Sequence, residues 1–214
     1  VDAILDSNRS AAGLAVSDIA KEKNKILAIN ISGSPRFTNE NCSPNTVHYV
    51  YDTYALAHST AKAVVEAGGK NWYFVTVDYA FGHDFERDAA ATVKATGGKV
   101  LGSVRVPLNA MDYSSFLLQA QGSGADVIAF ATAGADTANA IKQASEYGMG
   151  RDGQKLVGLL VYINEVNALG LKTAQGMLLT SAFYWDMNDE TRAFSKRYFE
   201  KMKKMPNMSQ AGVY

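Results

Sequence analysis

A single cysteine, Cys42, stands in 214 residues, so no internal disulfide can be inferred and a cysteine-rich metal site has no ligands. Cys42 reads either as an inert thiol or as one whose partner lies outside this chain. Histidine is nearly as scarce: His48, His58 and His83 are dispersed, without HExxH spacing or a nearby carboxylate cluster. Neither charge sign is in excess, with 21 Lys+Arg against 21 Asp+Glu, which argues against a nucleic-acid surface. The one basic run, Lys201 to Lys204 around Met202, reads as a solvated helix face. No apolar run approaches the roughly 20 residues that cross a bilayer.

Motifs are missing too. No GxGxxG or GxxxxGK[ST] follows a strand-like run, and Gly122-Ser123-Gly124 follows a helical one, where it reads as a helix stop. No serine lies in a GxSxG elbow. Neither a cofactor nor a metal nor a catalytic group is nominated. The chain begins at Val1 inside a strand-like run, without Met or signal peptide, and stops at Tyr214 inside a helix start. It reads as a fragment or a processed piece, silent about compartment.

What is present alternates. Strand-like runs at Val1–Leu5, Lys25–Ile31, Trp72–Val77, Val100–Val106, Ala125–Ala131, Lys155–Ile163 and Gly176–Phe183 are separated by helical patterns. The helices are expected at 11–23 (with Ser10 as N-cap), 53–67 (capped by Asp52), 85–96, 113–121 (capped by Asp112 or Ser114), 137–147, 165–169 and 190–203. A short β-like segment, His48 to Tyr51, precedes the second helix. Gly68-Gly69 and Gly97-Gly98 read as helix ends. Successive strand ends at Asp6, Ser32, Asp78, Val106, Ala133 and Ile163 lie 26 to 30 residues apart, except for 46 residues between Ser32 and Asp78. That spacing predicts an α/β fold of parallel strands with right-handed crossovers, doubly wound. The break near residue 50 predicts two lobes: 1–49 in lobe 1, 50–184 as lobe 2, and 185–214 returning to lobe 1. A single six-stranded flavodoxin-like domain is the structural alternative.

Ligands in such sheets sit at the strands' carboxyl ends, so the candidate site residues are taken from there. Ser7, Asn8, Arg9 and Ser10 lie at a helix N-terminus, where free N–H groups and the dipole favour an anion. Arg9 adds a donor fork suited to carboxylate. Ser32, Gly33 and Ser34 offer hydroxyls and close-approach backbone at the next strand end. Tyr51, Asp52, Asp78, Tyr79, Phe81, Ala133, Gly134 and Tyr162 repeat the theme in the second lobe. The plain alternatives are that Ser10 caps a helix and Arg9 is solvated, that Ser32–Ser34 is a turn, that Asp52 and Asp78 are caps or loop acids, and that Tyr79 and Phe81 are core-edge aromatics. The set favours a small ligand buried by few polar groups.

In order and spacing, several pieces resemble one family. They are Val1-Asp2-Ala3-Ile4 with its serine-rich loop, Ala20-Lys21-Glu22-Lys23, the loop from Ile31 to Thr38, Asp78-Tyr79-Ala80-Phe81-Gly82, Ala125-Asp126-Val127-Ile128 and Ala140-Ile141-Lys142-Gln143-Ala144. The resemblance is to the periplasmic solute-binding proteins of branched-chain amino-acid-type ABC transporters, the Leu/Ile/Val-binding group. It implies two lobes joined by hinge strands, with the first incomplete here, closing on a solute and docking to a membrane permease. It also implies no catalysis and a periplasmic or lipid-anchored extracytoplasmic location. The family's ligand loops fall on Ser7 to Ser10, Ser32 to Ser34, Asp78 to Phe81, Ala133-Gly134 and Tyr162. The first two would hold a carboxylate. This chain departs from amino-acid binders in its Ser-Asn-Arg-Ser loop, where small residues are usual, and in Ala133-Gly134, where a tyrosine is common. The expected solute is a small carboxylate, an amino acid or an aromatic acid; the departures favour one without an ammonium, which, if aromatic, would stack on Tyr79, Phe81 or Tyr162. A small α/β enzyme using Asp78 as base, and a ligand-sensing domain of the same fold, are the competing readings. An incomplete first lobe leads to the expectation of an unpaired edge and self-association.

Overall fold

The three short apolar runs near the N-terminus become a parallel sheet in the computed structural model, which describes residues 1–214. β1 (Ala3–Leu5), β2 (Ile26–Ile29) and β3 (Thr46–His48) pair in the order 1-2-3. One face is covered by α1 (Ser10–Glu22), with Ile4, Leu27, Ile29, Ala20 and Phe37 forming a small core. The other face carries Ala3 beside Ile26, and Leu5 beside Ala28 and Val47. Leu5, Ile26 and Val47 are 80%, 57% and 56% exposed, so this apolar face is bare. Residues 1–55 form one compact unit with 181–214, which supply α8 (Asp189–Met202) and α9 (Met208–Val213). Asn188 and Asn207 cap these helices by accepting the N–H of Thr191 and Gln210.

Residues 56–180 form the second unit. Its sheet joins β4 (Asn71–Val77), β5 (Lys99–Val106), β6 (Val127–Ala131) and β7 (Lys155–Gly158), all parallel, in the order 5-4-6-7. Central strands β4 and β6 are continuous apolar runs buried on both faces, whereas edge strand β5, KVLGSVRV, alternates exposed and half-buried. Trp72 at the start of β4 is fully buried and donates its indole N–H to the Gly69 carbonyl at 2.9 Å. The unit's helices are α2 (Thr53–Glu66, whose first turn belongs to the first unit), α3 (Ala80–Ala95), α4 (Ser114–Gly122), α5 (Ala135–Glu146), α6 (Ile163–Leu169) and α7 (Leu171–Ala174). The Gly68-Gly69 stop divides its labour. Gly68 has φ +92°, while a Cβ on Gly69 would lie 2.6 Å from Val127.

Several expectations are corrected. The segment expected as a strand at His48 to Tyr51 starts at Thr46 and is a third parallel strand beside β2, halted by the left-handed φ of +80° at Val50. Gly176 to Phe183, apolar enough for a strand, forms none. Gly176 has φ +79°, and Leu178 and Leu179 are 41% and 37% exposed, so the segment pairs with no strand, although Met177 packs on the core and Phe183 lies edge-on to Phe194. Side-chain bonds hold it at Thr180, whose hydroxyl lies 2.9 Å from that of buried Thr60, and at Ala182, whose N–H donates to Met208 Sδ at 3.5 Å. The strand expected to run to Ile163 ends at Gly158, and Ile163 opens α6. The units divide at 55/56 and 180/181, which puts Tyr51 and Asp52 in the first unit and not in the second.

Candidate functional site

In the first unit, the carboxyl ends of β1, β2 and β3 sit side by side, and Asp6 ties two of the loops together. Held at φ +67°, it accepts the backbone N–H of Ser7, Asn30 and Ile31 at 2.7, 3.1 and 3.0 Å. Ser32 Oγ donates to the Ser7 carbonyl at 2.5 Å, Tyr51 OH to the Ile31 carbonyl at 2.7 Å, and Thr53 N–H to the Gly33 carbonyl at 2.7 Å. The loop 30–34 is therefore clamped from both sides. Tyr51 is buried, and its hydroxyl positions this loop. Ser34 Oγ accepts the N–H of Arg36 at the head of a short 3-10 turn, Pro35–Thr38, and Asp52 caps α2 through the N–H of Ala55 at 2.7 Å.

The expected cap of α1 is corrected. Arg9, extended at φ −137°, occupies the N-cap position and makes no side-chain cap bond, while Ser10 is the first helical residue and is buried. No capping side chain from the N-cap residue therefore covers the first N–H groups of a 13-residue helix, the arrangement that accepts an anion. Ser7 and Ser32 flank this end through their mutual bond, and the Asn8 and Arg9 side chains lie in solvent.

Two residues here escaped the sequence reading. Asp6 was only a strand end, although an acid directly after a strand and before a serine loop is a common backbone acceptor. His48, one of three dispersed histidines in the sequence, is the second. It ends β3 with its ring edge-on to Phe37 (centroids 5.1 Å apart), and its Nε2 is buried without a partner. Burial lowers its pKa, against smaller raising effects from the Ser32 and Tyr51 backbones and the Asp52 charge. Unfolding then takes up a proton, so this stability is complete above the ordinary value of 6.5 and is lost as pH falls below it. A melting series from pH 7 to pH 5 is expected to show falling stability, and His48→Gln should flatten it. An unchanged slope in the variant would remove His48 from this role.

In the second unit, the order 5-4-6-7 places the topological switch between β4 and β6, so Asp78-Tyr79 and Ala133-Gly134 adjoin there, with the chain leading from β7 to Tyr162 next in line. The helix after β4 begins at Ala80, not near Asp84. Tyr79 is its N-cap, and Phe81 and Gly82 lie in its first turn. Gly82 permits this, since a Cβ there would come 2.1 Å from the Val77 carbonyl oxygen. Phe81 consequently turns inward, edge-on to Phe85 at 5.2 Å and stacked with half-buried Tyr79 at 5.9 Å. Asp78 is exposed and paired with His83 Nε2 at 2.8 Å.

Gly134 caps α5 at φ +59°, ψ −130°, and a Cβ there would meet nothing within 4 Å. The two threonines below it, Thr132 and Thr137, join hydroxyls at 2.7 Å in full burial. Asp136 accepts the N–H of Asn109 at 3.2 Å, and burial, then this charge, pushes the Tyr113 hydroxyl pKa up. Tyr162 caps α6 and donates its N–H to Glu165 at 2.7 Å; burial raises the Glu165 pKa against that bond. Cys42 is exposed and free. No three of the His, Cys, Asp and Glu side chains are grouped to hold a metal, and no helix is long and apolar enough to cross a membrane.

Comparison with known proteins agrees with this architecture. The model of the periplasmic binding protein family matches residues 1–214. A Leu/Ile/Val-binding protein homolog of Brucella melitensis is 28% identical over 195 residues, which cover 89% of this chain and 48% of the relative. The crystal structure of a periplasmic binding protein from Burkholderia mallei superposes with a TM-score of 0.93 at 51% identity, covering 99% of this chain and 56% of that one. A branched-chain amino acid ABC transporter periplasmic ligand-binding protein from Burkholderia xenovorans gives 0.88 at 36% identity, covering 100% of this chain and 57% of that one. The chain thus spans about half the length of the curated relatives it matches. A match over the whole of its length shows that the chain belongs to the periplasmic binding protein family.

Proposed function

We propose that this chain is part of an extracytoplasmic receptor of an ABC importer, free or lipid-anchored, that binds a small carboxylate-bearing solute for delivery to a membrane permease. The observation that carries the reading is the start of α1, whose N-cap residue supplies no capping side chain, at the carboxyl edge beside Ser7 and Ser32. A carboxylate there receives backbone N–H bonds and the helix dipole, with Arg9 within the same loop. In the second unit, Tyr79 over Phe81 offers an aromatic wall, and the open position at Gly134 leaves room beside it. An oxygen of the Asp78 carboxylate is engaged by His83 Nε2 at 2.8 Å. These features favour an aromatic acid over an α-amino acid, whose ammonium needs an unpaired acid.

Titration calorimetry with benzoate and leucine tests this. Heat with benzoate and none with leucine is expected, weakened about tenfold by Tyr79→Ala, which removes a stacking wall. Tight leucine binding without a benzoate response would sink the aromatic reading. An assay for chemical conversion of the bound acid separates the enzyme alternative: Asp78→Asn should change affinity alone, with no turnover to lose.

A further inference from the structure

The amino end of β7, opposite the end that leads toward Tyr162, opens on a cleft of about 610 Å³ between the turn after α5 and the segment around α7. Arg151, Lys155 and Lys172 line it together with Gln154, Thr173 and Gln175, and no aspartate or glutamate does. None of the three cations forms an ion pair. The chain as a whole is neutral, so the accumulation is local and not a sample of a basic surface.

The dimensions make the charges act together. A sphere of that volume has a radius of about 5 Å, so an anion at its centre lies within one Debye length, roughly 8–10 Å, of charges on its wall. Empty, the cleft holds three like charges in incompletely screened repulsion; an anion at its centre is attracted by all three. Its floor is held in place. Gln154 accepts the N–H of Gly150 at 3.1 Å and donates to the Ala125 carbonyl at 3.0 Å, while Lys155 N–H bonds the Asp126 carbonyl at 2.8 Å.

The geometry points to a second binding site here, for a compact multivalent anion bearing phosphate. A monocarboxylate would leave two of the three cations uncompensated, whereas a phosphate group brings two charges and several acceptor oxygens to one point. The site stands apart from the carboxyl-edge reading and does not depend on it. Such an anion comes either free in solution or as the headgroup of a phospholipid at the membrane surface.

The test uses the 214-residue chain, inorganic pyrophosphate in calorimetry, and sedimentation with phosphatidylcholine vesicles with or without phosphatidylglycerol. Saturable pyrophosphate binding at one site, weakened about tenfold by Lys155→Gln with Lys172→Gln, supports a free anion. Binding only to phosphatidylglycerol vesicles, lost in the same double variant, supports the headgroup. Circular dichroism checks folding, and Arg151→Gln, in an exposed turn, carries the comparison should the double variant unfold. Lys203→Gln with Lys204→Gln is the control for unspecific attraction. The proposal is overturned if neither probe binds, if the cleft variants bind like the parent, or if the control variant loses as much.

Discussion

Gly82→Ala is expected to lower the melting temperature by several degrees, although it exchanges a poor helix former for the best one. Propensity alone predicts a gain of about 1 kcal/mol. Against it stands the Val77 carbonyl oxygen, 2.1 Å from where the new Cβ must sit, with Val77 Cγ1 at 2.8 Å. A carbonyl at the buried end of a strand, where Phe74 to Val77 are all buried, cannot swing aside as a side-chain tip can, so the first turn of α3 has to lift. Overpacking of this kind costs typically 1–3 kcal/mol, occasionally more. For a chain of this size, each kcal/mol corresponds to about 2–4 °C. That turn carries Phe81 and is capped by Tyr79, so the benzoate binding proposed above should weaken with it. A melt at or above that of the parent would show that propensity outweighs the contact, and would put the helix start further along the chain.

Asp6→Ala should have a comparable effect in the first unit, and a graded series identifies its cause. The carboxylate serves three backbone N–H groups at once, in a backbone conformation that alanine adopts at a cost of about 1–2 kcal/mol. Each donor left without a partner costs about 1–3 kcal/mol when water cannot replace it. Asp6 is half-buried, so a total of about 3 kcal/mol is the expectation. Asp6→Asn keeps an acceptor and tolerates the left-handed φ, and Asp6→Gly keeps the φ but no acceptor. Chemical denaturation should therefore rank Asn above Gly above Ala. Gly equal to the parent would show that backbone strain, and not the carboxylate, sets the need for Asp6.

Most of the second unit could be read from residues alone, because its signals are local and redundant. The stretch from Trp72 to Val77 is β-rich and largely apolar, as a strand buried on both faces must be, and the paired glycines mark the ends of α2 and α3. The departures come where one distant contact outweighs local preference. The start of α3 was hidden because Gly82 resembles a loop glycine, when its missing Cβ is what lets a helix cross a strand end. Gly176 to Phe183 has the composition of a strand, but a strand also needs a neighbour, which composition does not report. At the candidate site, the serine loops and aromatics were visible as strand-end residues. That Tyr51 and Ser32 turn their hydroxyls to the loop backbone, that Asp78 meets His83, and that Asp6 and His48 matter could not be read without the pairing of strands.

The bare face of the β1–β3 sheet has a consequence for how substitutions in this chain are interpreted. Leu5, Ile26 and Val47 are among its more hydrophobic positions, yet water, not protein, surrounds most of each side chain. Truncating them opens no cavity, and a lysine placed there buries no charge. Tolerance expected at these positions, set beside intolerance expected at Leu27 and Ile29 on the opposite face, would therefore report which side of a sheet is dry and say little about how hydrophobic a residue is.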